Sequence, residues 1–393
     1  MSRVSLHALT SAAVTGRRVM IRADLNVPIA DGRVANDQRI RAALPAIRHC
    51  LDNGAGVILL SHLGRPEEGV YDGRFSLAPV AEELSRALAV PVPLRRDWLD
   101  GCEVAPGQVV LCENVRFNPG EKNDSPELGR RMAQWCDLFV MDAFGSAHRA
   151  HASVHAVALA APESCAGPLL LKELNALEEA FSDPPRPLVA IVGGAKVSGK
   201  LGVLRSISAQ ADVLIPGGGI ANTLLGANGA DIGASLAEPG LYGQAREVLN
   251  GPARVLLPTD AVLAPSAREP QAARISALDR VGRRDMILDI GPKTAEKYAS
   301  VVAGAGAVVW NGPLGLFEVE AFAEGTRRVA EAVASSRAYS LAGGGDTLRA
   351  LDDFGLGTGI DHLCTGGGAM LAWLEGSELP AVSALESRSS PTP

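Results

Sequence analysis

Short apolar runs recur along the whole chain, separated by loops of glycine and polar residues and by stretches with helical spacing of apolar positions. Because most runs are apolar throughout rather than alternating, they are typical of strands in parallel sheets covered by helices on both faces. The sequence therefore predicts an α/β protein. The predicted strands are Arg18–Ala23, Gly56–Leu60, Gln108–Leu111, Leu138–Met141, Leu188–Val192, Val213–Ile215, Arg254–Leu257, Met286–Asp289, Ala307–Trp310 and Tyr339–Ala342, with helices such as Asp37–Leu51 and Leu77–Leu88 between them.

A proline-rich break near the middle of the chain divides this pattern in two. Lys172–Ser182 has helical spacing, and the prolines within Asp183–Pro187 stop it. The length of 393 residues favours two or three domains of about 150 residues each. Small and polar residues after Pro380 predict a mobile tail. The predicted segments are an N-terminal domain over 1–171, a hinge helix and linker over 172–187, a C-terminal domain over 188–370 and a segment over 371–393.

Composition narrows the classes of function. Apolar residues make up 47% and charged residues 21% of the chain, which is typical of a folded globular protein. The net charge of -7, without runs of basic residues, predicts neither a nucleic-acid partner nor a membrane partner. The 6 cysteines lack any CxxC pair, so they predict no disulfide framework and favour a cytoplasmic protein.

Cationic side chains follow the predicted strands of the first half. Ligands of open parallel sheets bind beyond the carboxyl ends of the strands, so these residues are candidates for binding. Guanidinium groups pair bidentately with phosphate and carboxylate, and the set therefore predicts a small ligand that has both groups. The candidates are Asp24, Asn26, Arg39, His62, Arg65, Arg116 and Arg149.

Glycine clusters take the same positions in the second half. Glycine lets backbone N–H groups approach a phosphate closely, and a helix that starts there adds its dipole. Lys196 and Lys200 flank the first cluster, so this half predicts binding of nucleotide phosphates. The clusters are Gly193–Lys196, Gly217–Gly219, Asn311–Pro313, Gly343–Asp346 and Gly366–Gly368.

Three other sequence patterns give weaker evidence about function. The stretch from Gly194 to Lys200 imitates a Walker A loop, but Leu201 replaces the hydroxyl residue that holds Mg²⁺ there. His148, His151 and His155 lack the carboxylate or cysteine spacing of a metal site and favour packing or anion contacts. No G-x-G-x-x-G motif follows the early strands, which weakens the alternative of an NAD-dependent dehydrogenase.

Nine motifs together resemble the phosphoglycerate kinase family, over a stretch from about Arg18 to Pro380. They are RADLNVP, SHLGRP, ENVRF, DAFGSAHRAH, GGAKVSGK, PGGGIANT, WNGPLGLFE, AGGGDT and CTGGGA. The resemblance implies two Rossmann-like three-layer domains with parallel sheets that face each other across a hinged cleft, in a monomer. It implies that the segment over 371–393 returns toward the N-terminal domain. It also implies reversible transfer of a phosphoryl group from 1,3-bisphosphoglycerate to ADP, with Mg²⁺ bound together with ADP or ATP.

The resemblance also implies roles for the candidate residues. The seven candidates of the first half become the site for 3-phosphoglycerate, and Arg39, Lys196 and the amides of Gly366, Gly367 and Gly368 become the catalytic groups. Lys196 and Lys200 bind phosphates, Glu318 contacts the ribose and Asp346 lies at the metal. The implied nucleotide-binding set is Gly194, Ala195, Lys196, Lys200, Gly218, Gly219, Asn311, Pro313, Glu318, Gly343, Gly344, Gly345, Asp346 and Thr347.

The sequence departs from the family pattern at a few positions. Gly199 replaces the usual Asp and Met141 the usual Asn, while Met370 and Ala372 alter the last helix. These changes bear on nucleotide affinity and on the docking of the C-terminal segment.

This phosphoryl transfer needs no general base, because the carboxylate acceptor is already ionised at neutral pH. The residue types at the candidate site fit such a reaction. Catalysis then depends on alignment and on neutralising charge on the phosphoryl oxygens. Two alternatives stay open, a non-catalytic relative that binds nucleotide or phosphate and another acyl-phosphate kinase.

Overall fold

A computed structural model describes residues 6–389. The chain forms two compact units, with divisions between Asn175 and Ala176 and between Ser377 and Glu378, so that residues 378–389 belong to the N-terminal unit. Each unit contains a six-stranded parallel sheet with helices connecting its strands. The predicted α/β fold class is confirmed.

The sheet of the N-terminal unit has the strand order β5-β6-β4-β1-β7-β8. Its central strand β1 pairs with β4 and β7, and Arg22 lies opposite Leu60 and Met141. The strands of this unit are β1 (Arg18–Ala23), β2 (Ile29–Ala30), β3 (Arg33–Val34), β4 (Gly56–Leu60), β5 (Leu94–Arg95), β6 (Val109–Cys112), β7 (Leu138–Asp142) and β8 (Ser164–Ala166). Its helices are α1 (Gln38–Asp52), α2 (Ala78–Leu88), α3 (Pro126–Ala133), α4 (Val157–Ala160) and the start of α5 (Pro168–Phe181).

Buried strands and one face of α1 build the core of this unit. Every residue of β4 and β7 is buried, as a continuous apolar run predicts. Ile40, Leu44 and Ile47 of α1 recur at helical spacing and belong to the same cluster. The packing therefore leaves mainly the ends of the strands for polar chemistry.

The parallel sheet of the second unit has the order β11-β10-β9-β15-β16-β17. The strands of this unit are β9 (Leu188–Val192), β10 (Val213–Pro216), β11 (Arg254–Val255), β12 (Asp260–Ala264), β13 (Arg274–Ala277), β14 (Met286–Ile290), β15 (Ala307–Asn311), β16 (Tyr339–Gly343) and β17 (His362–Cys364). Its helices, after the end of α5, are α6 (Leu201–Gln210), α7 (Gly218–Ala227), α8 (Tyr242–Leu249), α9 (Pro292–Ala303), α10 (Glu324–Ser335), α11 (Gly345–Asp353) and α12 (Gly367–Leu374).

One predicted parallel strand belongs instead to a separate antiparallel sheet. Met286–Ile290 forms β14 of a separate sheet of order β13-β12-β14, in which β12 pairs antiparallel with both neighbours. The stretches 265–273 and 278–285 between these strands are shorter than the dozen or so residues that a parallel crossover needs. The parallel prediction for this strand is therefore wrong.

The C-terminal segment is also more ordered than predicted. Residues from Pro380 form helix α13 (Pro380–Ser389), in which Ala381, Ala384 and Leu385 are buried. Arg388 donates to the carbonyl oxygens of Ala161 and Pro162 at 3.0 and 2.8 Å. The predicted mobile tail is wrong up to Ser389, because small apolar residues on one face of the helix pack against the N-terminal unit. Residues 390–393 lie outside the described residues.

Asp142, the last residue of β7, caps the start of α5. Its Oδ1 accepts hydrogen bonds from the backbone N–H groups of Leu169 and Leu170 at 2.8 and 3.1 Å. Its Oδ2 is buried without a hydrogen-bond partner. Burial raises the pKa of this carboxyl from 3.8 to about 7.

We expect Asp142→Asn to stabilise the protein at neutral pH. Between pH 4 and 7 the unfolded chain releases the Asp142 proton while the folded chain retains it, so this group makes the native protein less stable as pH rises. The difference in free energy of unfolding between variant and native protein should grow from near zero at pH 4 to at most about 4 kcal/mol at pH 7. Urea unfolding across this pH range measures it, and a pH-independent difference would contradict the assignment.

Candidate active site

The carboxyl ends of β1, β4, β6 and β7 bring the predicted acid-binding residues together in the N-terminal unit. Asn26 Oδ1 accepts from the Gly64 backbone N–H at 2.9 Å, which joins the loop after β1 to the loop after β4. Arg116, after β6, donates to the Gly64 carbonyl oxygen. Arg39 donates to both carboxylate oxygens of Asp24 at 2.9 and 3.0 Å, which orients its guanidinium toward the same edge.

Positive charge is in excess around His62 at this edge. Burial, together with repulsion from Arg22, Arg116, Arg149 and Arg39, holds the pKa of His62 well below its usual range. Burial and the neighbouring arginines also lower the pKa of Arg116 to about 10. The pKa of Arg149 is lowered by burial and then by Arg65. So many guanidiniums around a neutral histidine form a site for an anion with more than one charged group.

Three buried groups at this edge that can donate have no partner in the described part of the chain. They are Arg116 Nε, His148 Nδ1 and the Ser146 hydroxyl. His148 Nε2 lies 3.2 Å from Arg149 Nε, which can only donate, so the proton of the neutral ring is on Nδ1. Burial lowers the pKa of both His148 and His151 to about 4, so these rings are neutral at pH 7. Buried polar groups are nearly always hydrogen-bonded, and unpaired donors among cations indicate an anionic ligand.

Sequence reasoning missed two charged residues behind this site. Arg22 lies inside strand β1 and is 1% exposed, and Glu121 is 0% exposed. The signal for Arg22 is a charged residue within the otherwise apolar run Val19–Ala23, which is rare unless that charge is paired. Glu121 has no such signal, because it occurs in a polar loop.

The predicted glycine clusters of the second unit all lie at the carboxyl edge of its parallel sheet. They follow β9, β10, β15, β16 and β17, and helices α7, α11 and α12 start within three of them. Three helix N-termini and several backbone N–H groups therefore gather at one edge. This arrangement suits phosphate groups.

Several of these glycines are also required by close approach of one loop to another. A side chain at Gly193 would collide with the carbonyl oxygen of Pro313, and one at Gly219 with the carbonyl oxygen of Ala195. Gly344 has φ +97 and lies against Gly367. The glycines therefore allow the loops to pack closely and also leave space for a ligand. At Gly199, by contrast, a side chain would meet open space.

The two predicted phosphate-binding lysines have different surroundings. Lys200 Nζ donates to Gly193 O at 2.6 Å, to Asn311 O at 3.1 Å and to Asn311 Oδ1. Burial lowers the pKa of Lys200 to about 8, although Asp346 attracts its charge. Lys196 is exposed and makes no hydrogen bond within the described chain. Lys200 thus joins the ends of β9 and β15, and Lys196 is available to a ligand.

The other predicted nucleotide residues with side chains lie at the ends of β15 and β16 and in the segments that follow them. Thr347 Oγ1 accepts from the Gly312 backbone N–H at 2.6 Å, and Asn311 Nδ2 donates to Gly343 O at 2.9 Å. Asp346 is exposed in the first turn of α11, and Glu318 is exposed in the loop after β15. Met370, an altered position, is buried and occupies the space next to Gly343.

The described residues contain no group of three side chains that would hold a metal alone. A single exposed carboxylate such as Asp346 fits Mg²⁺, which proteins bind through one or two carboxylates together with substrate phosphates. Within residues 6–389, no helix combines the length and hydrophobicity needed to cross a membrane.

The family model of phosphoglycerate kinase matches residues 9–377. Two relatives called phosphoglycerate kinase, from Legionella pneumophila (strain Paris) and Nitratidesulfovibrio vulgaris, are each 52% identical, over 98% and 97% of this chain and 98% of each relative. The solved structure of phosphoglycerate kinase from Coxiella burnetii is 48% identical, with a TM-score of 0.92, over 98% of this chain and 100% of that one. The structure from Pyrococcus horikoshii is 32% identical, with a TM-score of 0.84, over 97% and 98% of the two chains. The motifs, the fold and these likenesses agree, and the chain belongs to the phosphoglycerate kinase family.

Proposed function

We propose that the two sheet edges divide the reactants of this kinase between them. The reaction is the reversible transfer of a phosphoryl group from 1,3-bisphosphoglycerate to ADP, which gives 3-phosphoglycerate and ATP in glycolysis. The N-terminal unit binds the phosphoglycerate, and the second unit binds the nucleotide. The observation that supports this division is the cluster of like charges with unpaired buried donors around His62 and Arg116.

The cationic cluster matches the chemistry of 3-phosphoglycerate. Arg65, Arg116 and Arg149 offer guanidinium groups to the phosphate and the carboxylate, and His62 offers a neutral ring. Asp24 and Asn26 accept hydrogen bonds, as a ligand hydroxyl requires. The unit therefore offers donors for both anionic groups and acceptors for the hydroxyl.

The glycine edge of the second unit matches a nucleotide. Lys196 and Lys200 and the amides of the glycine clusters bind the phosphates, and Glu318 accepts from the ribose hydroxyls. Asn311, at the end of β15, and Pro313, in the loop that follows, lie near the bound nucleotide. Asp346 would hold Mg²⁺, which when bound neutralises charge on the nucleotide phosphates.

Transfer requires no proton relay in this arrangement. The attacking carboxylate is ionised at neutral pH, so the chain's own task is to align the reactants and to neutralise charge. Arg39 from one unit and Lys196 with the amides of Gly366, Gly367 and Gly368 from the other serve the phosphoryl oxygens. Because the reactants bind to separate units, we propose that a movement of the units about the region of α5 accompanies each turnover. We also propose that the enzyme is a cytoplasmic monomer.

The activity test is a coupled assay of ATP-dependent 3-phosphoglycerate consumption. A non-catalytic relative would bind both ligands without turnover. Another acyl-phosphate kinase would turn over acetate or aspartate faster than 3-phosphoglycerate. Turnover that depends on 3-phosphoglycerate at catalytic enzyme concentration supports the proposal, and its absence contradicts it.

We expect Arg65→Ala to raise the KM for 3-phosphoglycerate by roughly 10-fold or more, the effect of losing one charged hydrogen bond, with kcat changed much less. Arg65 is exposed and lies near Arg116 and Arg149, so its loss leaves the fold intact. Steady-state kinetics with each substrate varied measures the effect. The KM for ATP serves as the internal control, and a pure loss of kcat would contradict a binding role.

A further inference from the structure

We propose that Glu121 is a positioning residue for the acid-binding site, and that it acts through Ser153 and Arg22 to fix the tautomer of His62. This inference rests on the proposed placement of 3-phosphoglycerate in the N-terminal unit. In the assigned tautomer, His62 has its proton on Nε2 and offers that N–H to the ligand.

The four side chains form a continuous buried series. Ser153 Oγ donates to Glu121 Oε1 at 2.6 Å, and the Ser153 backbone N–H donates to Glu121 Oε2 at 2.9 Å. Arg22 Nε donates to Ser153 Oγ at 3.0 Å. Arg22 Nη2 lies 3.0 Å from His62 Nδ1. All four residues are at most 5% exposed.

The chemistry of this series allows one tautomer. Arginine has five N–H donors and no acceptor, so His62 Nδ1 must accept the hydrogen bond from Arg22. A proton on Nδ1 would remove that bond. Burial and the surrounding arginines disfavour the doubly protonated ring. The proton of His62 is therefore on Nε2, which has no hydrogen-bond partner among the described residues.

Glu121 supplies charge that favours this position of Arg22. Both of its oxygens accept from Ser153, as an ionised carboxylate does, although burial raises its pKa. Arg22 is a fully buried cation, and burial without a nearby anion would be costly. Glu121 and Asp24 attract its charge, whereas Arg149 repels it. Asp24 already accepts from Arg39. Without the Glu121 carboxylate, Arg22 would keep its bond to Ala23 O at 2.6 Å and its attraction to Asp24, but it would lose the larger attraction, and its bond to Nδ1 would weaken.

The test measures the tautomer directly, in the free enzyme, by ¹H–¹⁵N correlation of the histidine rings at pH 7. His62→Gln identifies the His62 signals by their loss. In the native protein, His62 should show a protonated Nε2 and a bare Nδ1. In Glu121→Gln the two nitrogens should move toward a mixture of tautomers.

The KM for 3-phosphoglycerate should change in the same variants that change the His62 ring signals. Glu121→Gln should raise the KM for 3-phosphoglycerate by about five- to tenfold, since part of one charged hydrogen bond is lost, and leave the KM for ATP within twofold. Ser153→Ala breaks the same series without removing a charge and should act in the same direction. It serves as the second variant if Glu121→Gln does not fold.

Glu113→Gln is the matched control. Glu113 is also a buried carboxylate of this unit that accepts from a serine hydroxyl, Ser76 Oγ at 2.7 Å, and from a backbone N–H, that of Leu77 at 2.8 Å, and no contact joins it to His62. It should leave the His62 ring signals unchanged.

The inference is overturned if native His62 is protonated on Nδ1 or on both nitrogens. It is also overturned if neither Glu121→Gln nor Ser153→Ala moves the ring signals, whatever happens to the melting temperature. The ring signals are read without ligand, so they are independent of the proposed function. If the tautomer is as assigned but 3-phosphoglycerate does not perturb His62, the placement of the substrate fails instead.

Discussion

Arg39→Ala lowers kcat by roughly 10²–10³-fold, the usual cost of removing one oriented donor from a developing charge. Arg39 lies in the first turn of α1, and both carboxylate oxygens of Asp24 hold its guanidinium in place. Its side chain is 35% exposed, so it is fixed in direction yet available to a ligand. Arg39 adds little to the core, so the variant should fold, but the loss of its pair with the buried Asp24 carboxylate should lower the melting temperature. Steady-state kinetics at saturating substrates, with thermal unfolding alongside, measures both.

Arg41→Ala is the control for Arg39. Arg41 is on the same helix and pairs with Asp37, but its side chain is 68% exposed and it forms no part of the cationic cluster. This variant should retain native kcat. If Arg39→Ala also retains kcat within a few-fold, Arg39 does not serve the phosphoryl group.

Lys196→Met should likewise lower kcat by about 10²-fold or more, with an unchanged melting temperature. Lys196 is exposed and makes no hydrogen bond within the described chain, and the charge interaction given for it is a minor attraction to Glu238, so the fold depends little on its charge. Lys200→Met should instead lower both activity and melting temperature. It leaves Gly193 O and the two oxygens of Asn311 without the ammonium that joins them.

The pair of lysine variants separates a charge that serves only the ligand, on Lys196, from one that also joins two loops, on Lys200. Lys297→Met, on the exposed face of α9, controls for the loss of any lysine and should match the native protein in both measurements. Near-native kcat in Lys196→Met, or a fall in melting temperature as large as that of Lys200→Met, would contradict the assigned roles.

The parallel sheets could be predicted from sequence because buried parallel strands are apolar at every position. Gly56–Leu60 and Leu188–Val192 have the predicted bounds, and Leu138–Asp142 differs by one residue. The candidate residues followed from topology, since strand ends in a parallel sheet share one edge. That reasoning needed only the order of runs along the chain.

What sequence reasoning missed depends on tertiary contacts. Met286–Ile290 has the apolar pattern of a parallel strand, and only the short connections around it show that it pairs antiparallel. Small and polar residues did not predict the helical order of α13, although the resemblance implied that the chain end returns to the N-terminal domain, where its buried face packs. Glu121 is distant in sequence from Arg22 and His62, so no spacing links them.

Hydrogen–deuterium exchange of the whole enzyme, measured with each ligand added alone, tests directly whether the two reactants bind to separate units. We expect 3-phosphoglycerate to slow exchange in the N-terminal unit, in peptides covering 24–39, 61–65, 113–116 and 144–153. ADP with Mg²⁺ should slow exchange in the second unit, around 193–200, 217–222, 343–347 and 366–370. Protection of the glycine clusters by 3-phosphoglycerate alone, or of the arginine cluster by the nucleotide alone, would contradict the division of the reactants between the two units.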